Sequence, residues 1–228
     1  MQGKRIVVTG GFGFLGAAVG RGVLAAGGQV ALIGHAQEPK REKLAGAVNV
    51  GGVDLSDAAS AEAGVTRAAE ALGGLDGLVN AAGGFVWGTL AEGALENWDR
   101  MHRMNLSTAV HATRAALPHL LAAEAGRVVN VGAAGALKAD GGFGPYAASK
   151  SAVMRFTESL ADELKPTAVT VNAVLPSIID IPANRESMGE ADAHKWVKPD
   201  DLAAVIVFLL SDAARAVTGA LVPVMGRV

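Results

Sequence analysis

The sequence predicts a single α/β domain with a mostly parallel β-sheet and helices on both faces. Short runs rich in valine, isoleucine and leucine alternate with alanine-rich segments of helix length along all 228 residues. The apolar runs are nearly continuous, which is typical of strands buried on both faces. No repeat, low-complexity tract or Ser/Pro-rich linker interrupts the alternation, so we expect one domain spanning residues 1–228.

Seven runs have the length and composition of strands. They are residues 5–9, 29–33, 48–53, 77–80, 127–131, 168–174 and 221–224. Helices are predicted near residues 14–27, 57–72, 94–122, 146–164 and 199–211. Pro118 lies inside the third helical pattern, 94–122, and predicts a kink or a tightening near its end. Residues 177–197 break the alternation with Pro, Gly and scattered charges, which predicts a substrate-binding loop.

The composition argues against several classes of protein. Lys and Arg number 20 against 22 Asp and Glu, with no basic block, which disfavours a nucleic-acid or membrane-surface partner. The absence of cysteine excludes disulfides and a thiolate nucleophile. The start MQGKRIVVTG does not resemble a signal peptide, and the apolar run 202–210 is too short to span a bilayer. We therefore expect a soluble, cytoplasmic protein.

A glycine-rich loop follows the first strand. Residues 11–16 read GFGFLG and match G-x-G-x-x-G, a pattern whose glycines permit a tight turn and close approach of backbone amides to a pyrophosphate. A tight turn without a ligand is the alternative, but the position between the first strand and the first helix favours a dinucleotide site. The candidate cofactor contacts here are Gly10, Gly13, Phe14 and Leu15.

The end of the second strand lacks the carboxylate that would bind the ribose 2′-hydroxyl of NAD. The strand ends at Gly34, and the first acid is Glu38. A missing acid removes a hydrogen bond to NAD and a repulsion against the 2′-phosphate of NADP, so NADP(H) is favoured over NAD(H). We expect His35, Lys40 and Arg41 either to contact the 2′-phosphate or to be ordinary turn residues. Asp54, after the third strand, is an adenine contact or the cap of the helix starting near Asp57.

Tyr146 and Lys150 lie four positions apart in a predicted helix. A free phenol has a pKa of about 10, and a cation one helical turn away lowers it. Tyr146 is then a general acid in reduction and a general base in oxidation. A solvated helix face is the alternative, which the preceding strand and the upstream dinucleotide loop disfavour. The five histidines show no metal-ligand spacing, so no metal site is expected.

Three ordered motifs give the chain a resemblance to the short-chain dehydrogenase/reductase family from end to end. They are the Thr-Gly-rich loop, NAAG at residues 80–83, and Tyr146-x-x-x-Lys150. The resemblance implies a Rossmann-like, doubly wound seven-stranded sheet, an Asn-Ser-Tyr-Lys tetrad with Asn105 as its asparagine, and a homodimer or homotetramer. It also implies that the Lys150 amine bonds the nicotinamide ribose. Cofactor contacts are expected from Asp54, Leu55, Asn80, Ala81, Ala82, Tyr146, Lys150, Pro176 and Ile179.

The chain departs from the family pattern at three positions. Phe14 stands where many members have the middle glycine of the loop, and Ser177 replaces the glycine after Pro176. The family serine lies thirteen residues before the tyrosine, and that position here is Ala133. Dihydropteridine reductases also work without the serine. They resemble this chain around GAAGAL…Y…K, AAGGF and LPSIIDIPANRESMGEAD…W, although they carry an acid after the second strand.

The missing serine bears on the substrate. Loss of one oxyanion donor typically lowers the rate by roughly 10²–10³, most of all for a simple ketone. A quinonoid or iminium acceptor builds up less charge, so we predict a reductase for a pteridine-like acceptor, with Phe85 and Trp87 stacking on a flat ring or serving as loop anchors. The alternatives are a carbonyl reductase or alcohol dehydrogenase that uses Ser177 or Thr89 as substitute hydroxyl, and a cofactor-binding regulatory protein.

Overall fold

The computed structural model describes residues 1–40 and 43–228, so Arg41 lies outside the described residues. Within them, seven strands form one sheet in which every neighbouring pair is parallel. The strands are Arg5–Thr9 (β1), Gln29–Ile33 (β2), Val48–Val50 (β3), Gly77–Asn80 (β4), Arg127–Val131 (β5), Thr170–Pro176 (β6) and Leu221–Val224 (β7). Their order, β3-β2-β1-β4-β5-β6-β7, is doubly wound and confirms the predicted fold class.

Helices cover both faces of the sheet. They are Phe14–Ala25 (α1), Ala58–Leu72 (α2), Glu96–Met101 (α3), Thr108–Ala122 (α4), Gly144–Glu163 (α5), Pro182–Met188 (α6) and Pro199–Leu210 (α7). Helices α1 and α7 pack on one face, and α2, α4 and α5 pack on the other. Side chains of a strand alternate between the two cores, so Ile6 and Val8 point to the first face and Val7 to the second. No helix in this described part of the chain has the length and apolarity to cross a membrane.

The predicted helix 94–122 is interrupted. Helix α3 runs into a π-helical turn, His102–Ser107, and α4 continues from Thr108 through Pro118 to Ala122. A π turn inserts one residue into the helical ladder and so re-aims the side chains around it. The single helix predicted for this segment is therefore wrong, and the turn contains the candidate catalytic residue Asn105.

Two strands have different ends from those predicted. Strand β3 stops at Val50 rather than at residue 53 because Gly51 and Gly52 follow, and Gly52 has a φ of +71°. Strand β6 begins two residues later than predicted and extends to Pro176, which pairs with Val224.

Residues 177–197 contain more regular structure than a loop. They hold the short helix α6 and a 3₁₀ turn, Ala193–Lys195. The segment is anchored by a bridge between Ile179 and Val197 and by the Arg185 guanidinium, whose Nε lies 2.6 Å from Asp180 Oδ1. The segment follows β6 directly, so it begins on the side of the sheet where the carboxyl ends of the other strands lie.

Candidate functional site

The carboxyl ends of β1 and β4 meet at the point where the strand order reverses. Gly10, with a φ of +64°, begins the turn after β1, and a Cβ there would stand 2.8 Å from the backbone nitrogen of Ala82. A Cβ on Gly16 would overlap the carbonyl oxygen of Gly10. Helix α1 then starts after Gly13, which has no capping side chain, and has no acid in its first turn. This cradle accepts only glycine and presents a helix N-terminus, which fits the pyrophosphate of a dinucleotide.

A cavity of about 520 Å³ lies beside the glycine loop. Five of the predicted cofactor contacts line it: Gly10, His35, Asp54, Leu55 and Ala82. Gly83 of the NAAG motif also lines it, and the lining residues that no sequence motif indicated are Ile33, Val53, Ser56, Arg100, Arg103, Met104 and Thr108. Gly13, Phe14 and Leu15 lie at the start of α1, beside Gly10. The structure therefore brings the glycine loop and the exits of β2 and β4 around one space.

The exit of β2 is closed to a carboxylate. A Cβ on Gly34 would overlap the ring of Phe12, so an acid at position 34 requires that ring to move. His35 lines the cavity, and Lys40 is exposed and does not line it. The ring of Phe12 therefore occupies the space that an acidic side chain at position 34 would need.

Asp54 faces the cavity and does not cap α2. Its Oδ1 accepts hydrogen bonds from the Ser56 hydroxyl at 2.7 Å and from the Ser56 amide at 2.9 Å. These bonds lower the pKa of Asp54 below its ordinary value, the hydroxyl contributing most. The cap is Asp57, whose Oδ1 accepts from the amide of Ser60 at 2.7 Å. Asp54 is therefore an ionised acceptor on the cavity wall.

Asn80 is turned into the protein interior. Its Nδ2 donates to Thr113 Oγ1 at 2.8 Å and to Asn130 Oδ1 at 2.9 Å, and Asn130 in turn donates to Thr157. The Asn80 side chain therefore points toward α4 and α5, so the predicted contact of Asn80 with a cofactor would have to come from its main chain. Next to it, the amide of Ala82 donates to Thr9 Oγ1 at 3.2 Å, which holds the ends of β1 and β4 together. Ala81 between them is half-buried.

Tyr146 and Lys150 lie in the first turns of α5. Lys150 is buried, and its Nζ donates to the carbonyl oxygen of Val131 at 2.7 Å. Burial lowers the pKa of Lys150 to about 8 and raises the pKa of Tyr146 to about 12. The expected lowering of the phenol pKa by Lys150 is wrong for this structure, because the ammonium is bonded to the end of β5 and desolvation dominates at both groups.

Asn105 connects the π turn to α5. Its Nδ2 donates to Ser149 Oγ at 2.9 Å, and Ser149 Oγ donates to the Tyr146 carbonyl at 2.7 Å. Its Oδ1 accepts from the amide of Gly84 at 2.8 Å. A Cβ on Gly83 would stand 2.6 Å from Asn105 Oδ1 and 3.3 Å from Lys150 Nζ. Asn105, Lys150 and the backbone after β4 therefore converge on one point.

Aromatic rings surround Tyr146. The rings of Phe85 and Phe143 lie 4.9 Å and 6.2 Å from that of Tyr146, both nearly perpendicular to it. Trp87 lies against Gly142 and donates through Nε1 to the carbonyl of Gly141 at 3.2 Å. Phe85 is 52% exposed and Trp87 is 58% exposed. Trp87 is thus an anchor between two loops, and both rings keep a face toward solvent.

The position at which we expect the family serine to be replaced lies two residues after the end of β5. Ala133 there is only 3% exposed. Of the two candidate substitutes, Ser177 donates to the carbonyl of Met225 at 2.6 Å, and Thr89 accepts from the amide of Glu92 at 3.3 Å. Ser177 is thus bonded to the segment after β7, and Thr89 is bonded within its own loop. Pro176 ends β6, and Ile179 follows at the bridge to Val197.

Comparisons with known proteins agree with this geometry. The family model described as short chain dehydrogenase matches residues 4–192. The chain is 32% identical to 2-(S)-hydroxypropyl-CoM dehydrogenase 3 of Xanthobacter autotrophicus, over 99% of this chain and 96% of that one. A short chain dehydrogenase from Burkholderia cenocepacia in complex with NADP has 34% identity, a TM-score of 0.86 and coverage of 99% and 97%. The 3-ketoacyl-(acyl-carrier-protein) reductase from Brucella melitensis, complexed with NADH, has 28% identity, a TM-score of 0.87 and coverage of 99% and 98%.

Proposed function

The chain belongs to the short-chain dehydrogenase family and is an NAD(P)-dependent oxidoreductase, and within that family we propose that it reduces a flat, conjugated acceptor such as a quinonoid pteridine. The observation that carries the proposal is the buried Ala133 at the position of the family serine, beside the pair Tyr146 and Lys150. The acceptor must then react with a single hydroxyl donor, Tyr146, whereas family members that have the serine provide two.

The proposed roles of the residues follow from their positions. The glycine cradle of Gly10 and Gly16 and the start of α1 would hold the pyrophosphate of the cofactor, whose nicotinamide would supply the hydride. Tyr146 gives its proton to the reduced acceptor, since its phenol is protonated throughout the physiological range. The positive charge of Lys150 offsets the negative charge left on the phenol oxygen. Asn105 positions Tyr146 through Ser149 and the backbone of α5.

The acceptor class follows from charge. A ketone accumulates nearly a full negative charge on oxygen as hydride arrives, and one donor stabilises that charge poorly. A quinonoid or iminium acceptor delocalises or neutralises the charge and needs the second donor less. The exposed faces of Phe85 and Trp87 offer apolar surface to a planar ring. A dihydropteridine-reductase-like activity satisfies both requirements.

The preferred cofactor in this proposal is NADPH. Phe12 fills the space beside Gly34 that a ribose-binding carboxylate needs, so neither the hydrogen bond that favours NAD nor the repulsion against a 2′-phosphate is present. Titration of NADPH and NADH, followed by nicotinamide fluorescence, measures the preference. Tighter binding of NADH contradicts this part of the proposal without affecting the acceptor class.

A second candidate is a carbonyl reductase or alcohol dehydrogenase. The names of two similar proteins, a hydroxypropyl-CoM dehydrogenase and a ketoacyl reductase, favour it. It requires another hydroxyl at the reacting oxygen. Ser177 would have to leave the Met225 carbonyl to donate there, whereas Thr89 only accepts from the Glu92 amide and keeps its own proton to donate. In either case the proposed assembly is a homodimer or homotetramer.

The deciding experiment is hydride transfer to a panel of acceptors. Initial rates of cofactor oxidation are measured with a quinonoid dihydropterin, simple quinones, and aliphatic and aryl ketones at matched concentrations. We expect kcat/KM for the quinonoid compounds to exceed that for ketones by about 10² or more, the size of one oxyanion donor. Comparable values for ketones would favour the carbonyl reductase, with Tyr146→Phe as the control for uncatalysed reduction.

A further inference from the structure

A cluster of four polar side chains is buried between the sheet and the helices α4 and α5. Its members are Asn80 of β4, Thr113 of α4, Asn130 of β5 and Thr157 of α5, each at most 3% exposed. Asn130 is at its centre, since its Oδ1 accepts from Asn80 Nδ2 and its Nδ2 donates to Thr157 Oγ1, both at 2.9 Å. This polar cluster therefore links β5 to α5 inside an otherwise apolar core.

The polar cluster supplies geometry more than stability. Burial of an amide or a hydroxyl is unfavourable unless each of its polar atoms is bonded, and an apolar side chain of similar size has no such requirement. Here the requirement is not fully met, because Asn80 Oδ1 has no hydrogen-bond partner among the described residues. Apolar contacts are non-directional, whereas a hydrogen bond fixes a distance and an angle. The bonds of Asn130 therefore restrict how α5 sits on β5.

Strand β5 holds α5 at two points. Next to Asn130, the carbonyl oxygen of Val131 accepts from Lys150 Nζ at 2.7 Å. Lys150 and Thr157 are seven residues apart, which is about two turns and places them on one face of the helix. The Thr157 hydroxyl gives its own proton to the Val153 carbonyl, so its oxygen is oriented to accept from Asn130. A shift of α5 by one residue would turn the helix by about 100° and break both attachments.

We infer that Asn130, through Thr157, is a positioning residue that holds α5 in the register at which the Lys150 ammonium meets the end of β5. In the described part of the chain Asn130 does not line the cofactor cavity, so it acts through the helix and not on a reactant. Tyr146 precedes Lys150 by one turn of the same helix, and the same register therefore places its phenol. The inference rests on the proposed function only in giving Lys150 and Tyr146 their roles in proton transfer.

The test follows Lys150 directly and needs no acceptor. The full chain is prepared with isotopically labelled lysine, and the pKa of Lys150 is measured by NMR titration, with Lys150→Ala identifying its signal. Thr157→Val removes the accepting hydroxyl at nearly constant volume, and Thr157→Ser keeps it. Asn130→Leu removes the donor. Tyr146 does not interfere, because its phenol titrates with a pKa of about 12.

Thr113→Val is the matched control. It removes an equally buried hydroxyl from the same cluster, but from α4, and leaves the bond between Asn130 and Thr157 in place. Unfolding midpoints are measured for every variant. Thr157→Val and Asn130→Leu cut the same bond from its two ends, so Thr157→Val alone decides the test if Asn130→Leu does not fold.

In Thr157→Val and Asn130→Leu we expect the pKa of Lys150 to rise from about 8 by about one pH unit or more, because an ammonium that leaves its buried position gains water. Thr157→Ser and Thr113→Val should titrate like the wild type. The alkaline fall of kcat/KM for reduction should move upward with the pKa.

Two results overturn the inference. An unchanged pKa of Lys150 in Thr157→Val, with a lowered unfolding midpoint, would show that the bond only stabilises the fold. An equal rise in Thr113→Val would show that any loosening of the polar cluster moves Lys150, whatever happens between Asn130 and α5. The proposed acceptor class is judged separately, because a preference for ketones over quinonoid compounds would contradict it and leave these titrations unaffected.

Discussion

The ring of Phe85 stands edge to face against the ring of Tyr146, with centroids 4.9 Å apart and planes inclined by 78°. Phe143 closes the same cluster at 5.2 Å from Phe85. These rings contribute to the apolar surroundings of the phenol, and burial raises the pKa of Tyr146 to about 12. The side chain proposed to meet the acceptor therefore also helps to set the acid strength of the proton donor.

Replacement of Phe85 by leucine should lower the pKa of Tyr146 toward its ordinary value, because a smaller side chain admits water to the phenol. Tyr146 is the single tyrosine of the chain, so ultraviolet absorbance of tyrosinate during an alkaline titration reports this group alone. Phe208→Leu, an exposed phenylalanine on α7, is the matched control and should leave the titration unchanged. An unaltered midpoint in Phe85→Leu would show that other groups desolvate the phenol.

Tyr146→Phe should lower turnover by about 10²–10⁴ while cofactor affinity stays nearly constant, since it removes the proton and keeps the ring. Lys150→Ala should lower both quantities, because the ammonium is proposed to bond the ribose as well as to offset charge at the phenol. Single-turnover rates and cofactor titrations measure the two effects. Near-normal rates in Tyr146→Phe would mean that the proton comes from elsewhere.

The pH dependence of reduction should reflect Lys150 rather than Tyr146. The pKa of Lys150 is lowered to about 8 by burial, so its charge is present below that pH and is lost above it. The phenol remains protonated up to a pKa of about 12. We therefore expect kcat/KM for reduction to be level below pH 8 and to fall above it, whereas oxidation gains from rising pH. If kcat/KM for reduction stayed unchanged from pH 8 to pH 10, this assignment would be contradicted.

The sequence predicted the sheet and the glycine loop because both depend on local patterns. Buried strands and a G-x-G-x-x-G turn can be recognised from a few consecutive residues. Gly10 and Leu55, which follow β1 and β3, both line the cavity. The direction of the Asn80 side chain was not predictable. Strand β4 is buried on both faces, so its sequence does not show which of its alternating side chains point to which face of the sheet. The same holds for Arg100 and Arg103, whose place on the cavity depends on a π turn that no local motif indicates.

The pKa of Tyr146 was mispredicted for a related reason. The spacing of Tyr146 and Lys150 gives their separation along a helix but not the degree of burial. That burial depends on Phe85, from the segment after β4, and on the direction of the Lys150 ammonium toward Val131. Both are tertiary contacts, and desolvation from such contacts outweighs a charge one turn away.

A salt bridge at the amino ends of β1 and β4 should make the free energy of unfolding depend on pH. The Arg5 guanidinium donates to Asp76 through Nε and Nη2, each at 2.8 Å, and these bonds lower the pKa of the carboxyl. The stabilisation is complete above the unfolded pKa of about 4 and is lost as pH falls through the lower folded value.

Asp76→Asn should therefore lower the free energy of unfolding at pH 7 by about 1 kcal/mol, a figure discounted for solvent screening of a partly exposed pair. The difference from the wild type should shrink as pH falls below about 4, and it should vanish below the lowered folded pKa of Asp76, where the carboxyl is protonated in the folded and the unfolded chain. Urea unfolding at several pH values measures it. Asp162→Asn, in an exposed pair with Lys165, should show no pH-dependent difference; an equal effect there would mean that general charge and not the Arg5 contact is responsible.

Ala133→Ser tests the substrate proposal most directly. If position 133 faces the reacting atom, the new hydroxyl restores a second donor at the oxygen where charge develops. Ketones should then gain about tenfold or more in kcat/KM, less than a full oxyanion effect because the site is not refined for the donor. Quinonoid acceptors should change little or lose slightly, since a buried hydroxyl without a partner is unfavourable.

Ala134→Ser is a suitable control for Ala133→Ser, because it adds the same hydroxyl one position further along, at the start of the 3₁₀ turn Ala134–Ala136. It should leave the ratio of ketone to quinonoid turnover at the wild-type value. Equal gains for both acceptor classes in Ala133→Ser would show that position 133 does not act on the reacting oxygen. Another hydroxyl would then supply the second donor, and the inference from the missing serine to a conjugated acceptor would be wrong.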